Sequence, residues 1–208
     1  MPTSLGVATS PEHDLYDEAA FRRLDFTDID LGGQAADAVE FEECGLRRVS
    51  LAGVALERAR FTDCLVEGSD WANLRAAKSD MQRVRLAAVR LTGVHWLGGV
   101  LRDVTFSECR MDMATLRFTS FKDVAFVGCN LTRADFTNAD LRGAQFTDCD
   151  LSGAQFTQAD CAGTRFIRCE LAGIGGAASL RGATIGAADL VALTYALAAA
   201  LDITIEES

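Results

Sequence analysis

Large apolar residues recur at every fifth position of the chain, without a slip, from Phe21 to Leu171. Those 31 positions hold 11 Phe, 12 Leu, two Trp, two Met, two Ala, one Val and one Cys, and none is polar although only 49% of the chain is hydrophobic. Two residues before each lies a narrower column of small residues, running through Cys44, Val49, Val54, Ala59 and Cys64 and later through Cys129, Ala134, Ala139, Ala144 and Cys149. A period of five matches neither the 3.6 of a helix nor the 2.0 of a strand. A repeat this strict instead predicts a solenoid, whose units bury their apolar side by stacking on one another.

Longer spacings set the size of a turn. Phe106, Phe126, Phe146 and Phe166 lie 20 apart, as do Cys109, Cys129, Cys149 and Cys169, so four fives make one square coil. Stacked at the roughly 4.8 Å spacing of hydrogen-bonded strands, the repeat predicts about eight coils and a rod of roughly 37 Å with the large residues along its axis. The positions between the inward pairs carry Asp, Asn, Arg, Thr, Ser and Gly, which are turn formers.

The tandem units Ala134-Asp135-Phe136, Ala139-Asp140-Leu141 and Cys149-Asp150-Leu151 resemble those of the pentapeptide repeat proteins. The resemblance covers about residues 19–173 and implies an all-β, right-handed quadrilateral parallel β-helix. Residues 1–18 read as an N-terminal tail and 174–208 as a C-terminal cap and dimerisation segment. Within that cap the composition of 187–201 predicts a helix, with Leu190, Leu193, Leu197 and Leu201 along the stripe facing the coils. The segment GATIGAADLVALTYALAAALDITI is similar to the C-terminal region of MfpA-type members, where it makes a homodimer. That similarity implies an interface drawing on Leu190, Val191, Tyr195, Leu197, Ala198, Leu201, Ile203 and Ile205, the last two in a short alternating strand.

Composition narrows the chemistry. The 208 residues carry a net charge of −10, unevenly placed: residues 1–71 sum to −9, whereas 72–102 sum to +5 through Arg75, Lys78, Arg83, Arg85, Arg90 and Arg102. The seven cysteines fall in the inward columns and read as free packing thiols, with no zinc-type spacing. His13 and His95 have no nucleophile or metal motif beside them, and no glycine-rich phosphate loop is present. The expectation is therefore a protein that is not an enzyme, with no cofactor, no metal site, no direct contact with nucleic acid and no membrane segment, located in the cytoplasm.

Two functional expectations follow. Regularly spaced carboxylates such as Asp135, Asp140, Asp150 and Asp160 could present a DNA-like surface. The MfpA/Qnr-type resemblance implies the same: a DNA mimic that binds DNA gyrase or topoisomerase IV and protects it from quinolone-type or other poisons. The alternative is an interaction scaffold for another protein. Its mark is a set of outward apolar residues, Leu97, Val100, Met113, Phe118 and Val127, of which Met113 and Phe118 stand at successive corners where the repeat prefers polar residues.

Overall fold

The computed structural model describes residues 5–9 and 13–205. The chain winds as a parallel β-solenoid with four sides per coil, followed by one α-helix, Leu190–Ala200. Side 1 is centred on Phe21, Phe41, Phe61 and their successors at steps of 20. Side 2 is centred on Phe26, Leu46 and Val66, side 3 on Leu31, Leu51 and Trp71, and side 4 on Ala36, Leu56 and Ala76. Register partners confirm the coil length: Met81 pairs with Leu101, Leu101 with Phe121, and Phe126 with Phe146.

Side 2 carries ten strands in one ladder, which makes about nine turns. The turns beyond the repeat frame come from the ends. Gly6–Val7, in the segment expected as a tail, pairs with Leu24 and Asp25, and Thr184–Ile185 pairs with Arg165 and Phe166. These two rungs are offset by 18 and 19 residues instead of 20, so the five-residue count passes over them.

The axis is filled as the columns require. Phe126 lies between Phe106 and Phe146 with ring centroids 4.9 and 4.7 Å away and planes within 5° of parallel, and Phe136 stacks on Phe156 at 5.3 Å. All seven cysteines are free and buried. Where the small column turns polar, the side chain finds a carbonyl one coil below: Thr119 Oγ1 donates to Trp96 O (3.0 Å) and Thr164 Oγ1 to Leu141 O (2.7 Å). The thiols of Cys129 and Cys149 make the same contact with Phe106 O and Phe126 O at 3.4 and 3.5 Å. Burying these groups unpaired would cost about 1–3 kcal/mol each.

Corners are made in two ways. On side 3, and on sides 1 and 4 of the later coils, the carbonyl of the central residue accepts the N–H three residues on, as in Leu151 O and Ala154 N at 2.9 Å. Gly153 then occupies the third place of a type II turn at φ +70°. Elsewhere the strand runs through the corner, as in Val100–Ser107 and Ser120–Val127. Both kinds put a left-handed residue two places after the central one.

The C-terminal helix closes the stack in a different rotation from the one expected. Asp189 is drawn into the last coil, where its carboxylate accepts the N–H of Cys169 at 3.2 Å. This anchor rotates the helix, so Leu193 (2% exposed) and the half-buried Ala196 face the coils, while Leu190, Leu197 and Leu201 face out. Ala198, expected on the free side, is instead buried; the chain turns back after Leu201 and the N–H of Ile203 donates to Ala198 O at 2.9 Å. Ile203 and Ile205 are exposed and form no strand. Among the described residues no helix is long and apolar enough to cross a membrane.

Candidate protein-interaction surfaces

The coil length turns charge into ladders. A residue 20 positions away is the neighbour above or below, and arginines use it. Arg48 binds Asp28, Arg83 binds Asp63 and Arg168 binds Asp148, each through two bonds of 2.6–2.8 Å. The guanidinium partners hold the Asp28, Asp63 and Asp148 carboxyls below their usual range. Arg58 and Asp37 form a further pair. Exposed pairs of this kind contribute little stability, because water and salt screen them. Their larger effect is to cancel the outward field.

The basic belt is the clearest case. Lys78, Arg83 and Arg90 are bound to Glu57, Asp63 and Asp70 of the preceding coil. The belt's other members, Arg75, Arg85 and Arg102, fall on sides 4, 2 and 1, so they do not form a face. Residues 1–18 hold four acids and no base, and 174–208 hold four acids and one base, which leaves −3 of the net −10 for residues 19–173. Duplex DNA carries one charge per about 1.7 Å, so a duplex roughly 40 Å long would carry roughly 24. The rod body does not approach that density.

The four sequence-predicted carboxylates are all outward, and each serves its own turn. Asp135, Asp140, Asp150 and Asp160 accept the N–H two residues on, from Thr137, Arg142, Ser152 and Ala162, at 2.9–3.2 Å. Asp140 is also gripped at 2.8 and 2.6 Å by Arg142, which lies 3.5 Å from Asp160, and Arg117 lies 3.7 Å from Asp135. This self-bonding explains the Asp and Asn of the repeat.

The outward apolar residues divide by side. Met113 and Phe118 flank one coil of side 4, at 53% and 60% exposure. Leu97 and Val100, both half-buried, lie one coil away beside the Phe118 corner, whereas Val127 is on side 2, across the rod. Met113 and Phe118 hold left-handed conformations, φ +56° and +59°; every other described non-glycine residue with positive φ is polar or alanine. A bulky residue there costs about 1 kcal/mol or more against glycine or asparagine. Beside Phe118, the Arg117 guanidinium carbon sits 5.7 Å from the ring centre.

A second apolar surface lies at the C-terminus, where Leu190, Val191, Tyr195, Leu197, Leu201, Ile203 and Ile205 are 38–78% exposed. Sequence reasoning missed the concave parts of the surface. A groove of about 660 Å³ opens along side 2 of the early coils, floored by Gly45 and Leu65 and edged by Arg47, Arg85 and Asp103. Glycine at 45 in a row otherwise holding larger residues (Asp25, Leu65, Arg85) was its only trace. No three metal-ligating side chains converge among the described residues.

Residues 100–175 match the family model described as the pentapeptide repeat region. No curated protein matches the chain. Among solved structures, a trypsin-treated form of QnrB1, a plasmid-mediated fluoroquinolone resistance protein, is 15% identical, with 88% of this chain and 99% of that chain covered and a TM-score of 0.43. HetL, a pentapeptide repeat protein involved in heterocyst differentiation regulation from the cyanobacterium Nostoc, is 14% identical over 82% and 87% of the two chains, TM-score 0.44. A pentapeptide repeat protein of the Arabidopsis thaliana thylakoid lumen is 27% identical over 57% and 68%, TM-score 0.28. At these scores the likenesses carry nothing about function.

Proposed function

Because the chain is a pentapeptide repeat protein, whose repeat fills the interior and leaves only its outside for chemistry, we propose that it is a non-enzymatic protein-binding rod. Its contact is the apolar corner of side 4. The observation that carries this is the pair Met113 and Phe118, more than half exposed in left-handed corners where their bulk costs stability. Two copies join through the exposed C-terminal face, with Val191 and Tyr195 at its centre and Ala198 outside it. The seven reduced thiols suit the cytoplasm.

The test is cross-linking of the purified chain in cell extract, with partners identified by mass spectrometry. A genuine partner is lost with Phe118→Ser and Met113→Ser; capture indifferent to both substitutions refutes the assignment. Light scattering checks the dimer, which Val191→Asp should convert to a monomer.

A second reading is binding to a type II topoisomerase, DNA gyrase or topoisomerase IV, as a DNA mimic. It is favoured by the MfpA-like C-terminal segment and by the net charge of −10. The ladder pairing of the rod body speaks for the apolar contact over the electrostatic one. Supercoiling by purified gyrase, with and without a quinolone, separates the two: neither inhibition nor protection at micromolar protein removes the topoisomerase.

A further inference from the structure

On one stretch of side 1 two cations on successive coils face each other, neither bound to an acid. Gln82, Arg102 and Lys122 are register partners on successive coils, and Arg142 follows at the same offset. Arg142 is held by Asp140, whereas Arg102 and Lys122 stand next to each other with no ion pair among the described residues. Like charges directly opposite across a ladder are destabilising, and chains spaced about 4.8 Å apart leave them little room to separate.

The nearby acids do not relieve this. Asp103 and Asp123 follow directly in the chain but occupy the left-handed corner positions, φ +53° and +55°, and Asp103 edges the side 2 groove. Asp80 Oδ1 accepts the N–H of Val100 at 2.8 Å. Asp140 feels Lys122 but is bound by Arg142. The two cations are thus exposed and uncommitted.

Apolar surface adjoins them. Val100 precedes Arg102 by two residues in the strand Val100–Ser107, so both side chains point out of the same side. Around the corner stand Phe118 and Leu97, and Gly98, one coil before Phe118, leaves open space where a side chain would stand.

We propose that this corner binds an extended acidic segment of a partner protein, with an apolar side chain against Phe118 and Val100 and carboxylates on Arg102 and Lys122. The proposal rests on the protein-binding reading and specifies the partner's chemistry. Nucleic acid fits less well: Asp80, Asp103, Asp123 and Asp140 border the two cations and would repel a continuous run of phosphates, while discrete carboxylates can be placed between them.

Fluorescence anisotropy of the full chain with short labelled peptides tests it. The probe alternates Glu and Thr around a central Phe; its counterparts carry Gln or Lys in place of Glu. The Glu peptide should bind about tenfold tighter than the Gln peptide at low salt, with the preference gone at about 0.5 M salt. Arg102→Gln with Lys122→Gln should erase that preference, and Phe118→Ser should weaken both peptides about fivefold. Circular dichroism confirms that each variant is folded. No Glu-over-Gln preference in the wild type, or one that survives the double substitution, overturns the proposal. If cross-linked partners still depend on Phe118 in that case, the protein-binding rod stands and only the acidic-segment assignment falls.

Discussion

The two tryptophans offer a matched test of how the axis is built. Both occupy the large-residue column and both are buried, Trp71 at 0% and Trp96 at 2% exposure. Their indole nitrogens differ: Trp96 Nε1 donates to Ser79 O at 2.9 Å, whereas Trp71 Nε1 is buried with no hydrogen-bond partner among the described residues. Replacing either by Phe removes about 40 Å³ and costs about 1 kcal/mol through the cavity left behind. At position 96 the substitution also deletes a hydrogen bond worth about 1 kcal/mol, for a total loss of about 2 kcal/mol. At position 71 it removes a buried orphan donor, relieving about 1–3 kcal/mol, so the net change lies between zero and a gain of about 2 kcal/mol. Urea unfolding followed by far-ultraviolet circular dichroism measures both variants, and a difference of about 2–4 kcal/mol is expected, with Trp71→Phe the more stable. Equal destabilisation at the two sites would refute the hydrogen-bond reasoning and leave only volume.

Gly99→Ala should lose about 3 kcal/mol or fail to fold, because a Cβ there would lie 1.8 Å from Ser79 O, a backbone atom that cannot step aside; thermal melting reads the loss. Phe118→Asn should leave stability unchanged or raise it by about 1 kcal/mol, since asparagine tolerates the left-handed corner; a clear loss in urea would show that Phe118 packs after all. Native protein at mildly alkaline pH should not react with a thiol reagent, because all seven thiols are buried, while denatured protein should titrate seven thiols. Asp63, Asp140 and Asp148 have folded pKa values below 3.8, so their stabilisation is complete above that value and is lost as pH falls through the lower folded ones. The melting temperature should therefore hold from neutral pH to about pH 5 and drop below about pH 4, with Asp63→Asn blunting the drop.

Most of the architecture was legible in one dimension because a solenoid's neighbours in space are its neighbours at a fixed distance in sequence. The five-residue frame alone marked the axial stack of Phe106, Phe126, Phe146 and Phe166, the small column with its cysteines, and the coil of 20 residues. The surface was read less well. Asp135, Asp140, Asp150 and Asp160 are outward as expected, yet their carboxylates are engaged by the N–H groups of their own turns. A binary pattern reports whether a side chain faces in or out; it does not report which donor it meets.

The period, the filled interior and the places where the repeat departs from its habit, Met113, Phe118 and the basic belt, are all written in one dimension. What those departures amount to was settled by the stacking of the coils. Stacking brought Lys78, Arg83 and Arg90 onto Glu57, Asp63 and Asp70 and so answered half of the belt, while it left Arg102 and Lys122 facing each other unanswered beside Phe118. It also rotated the C-terminal helix, because the Asp189 carboxylate found the Cys169 N–H at the end of the last coil. The physical reason is common to both. Burial is additive along a periodic chain and can be counted from composition, whereas ion pairs and caps depend on which two groups the fold brings within about 3 Å, and that distance is set by register.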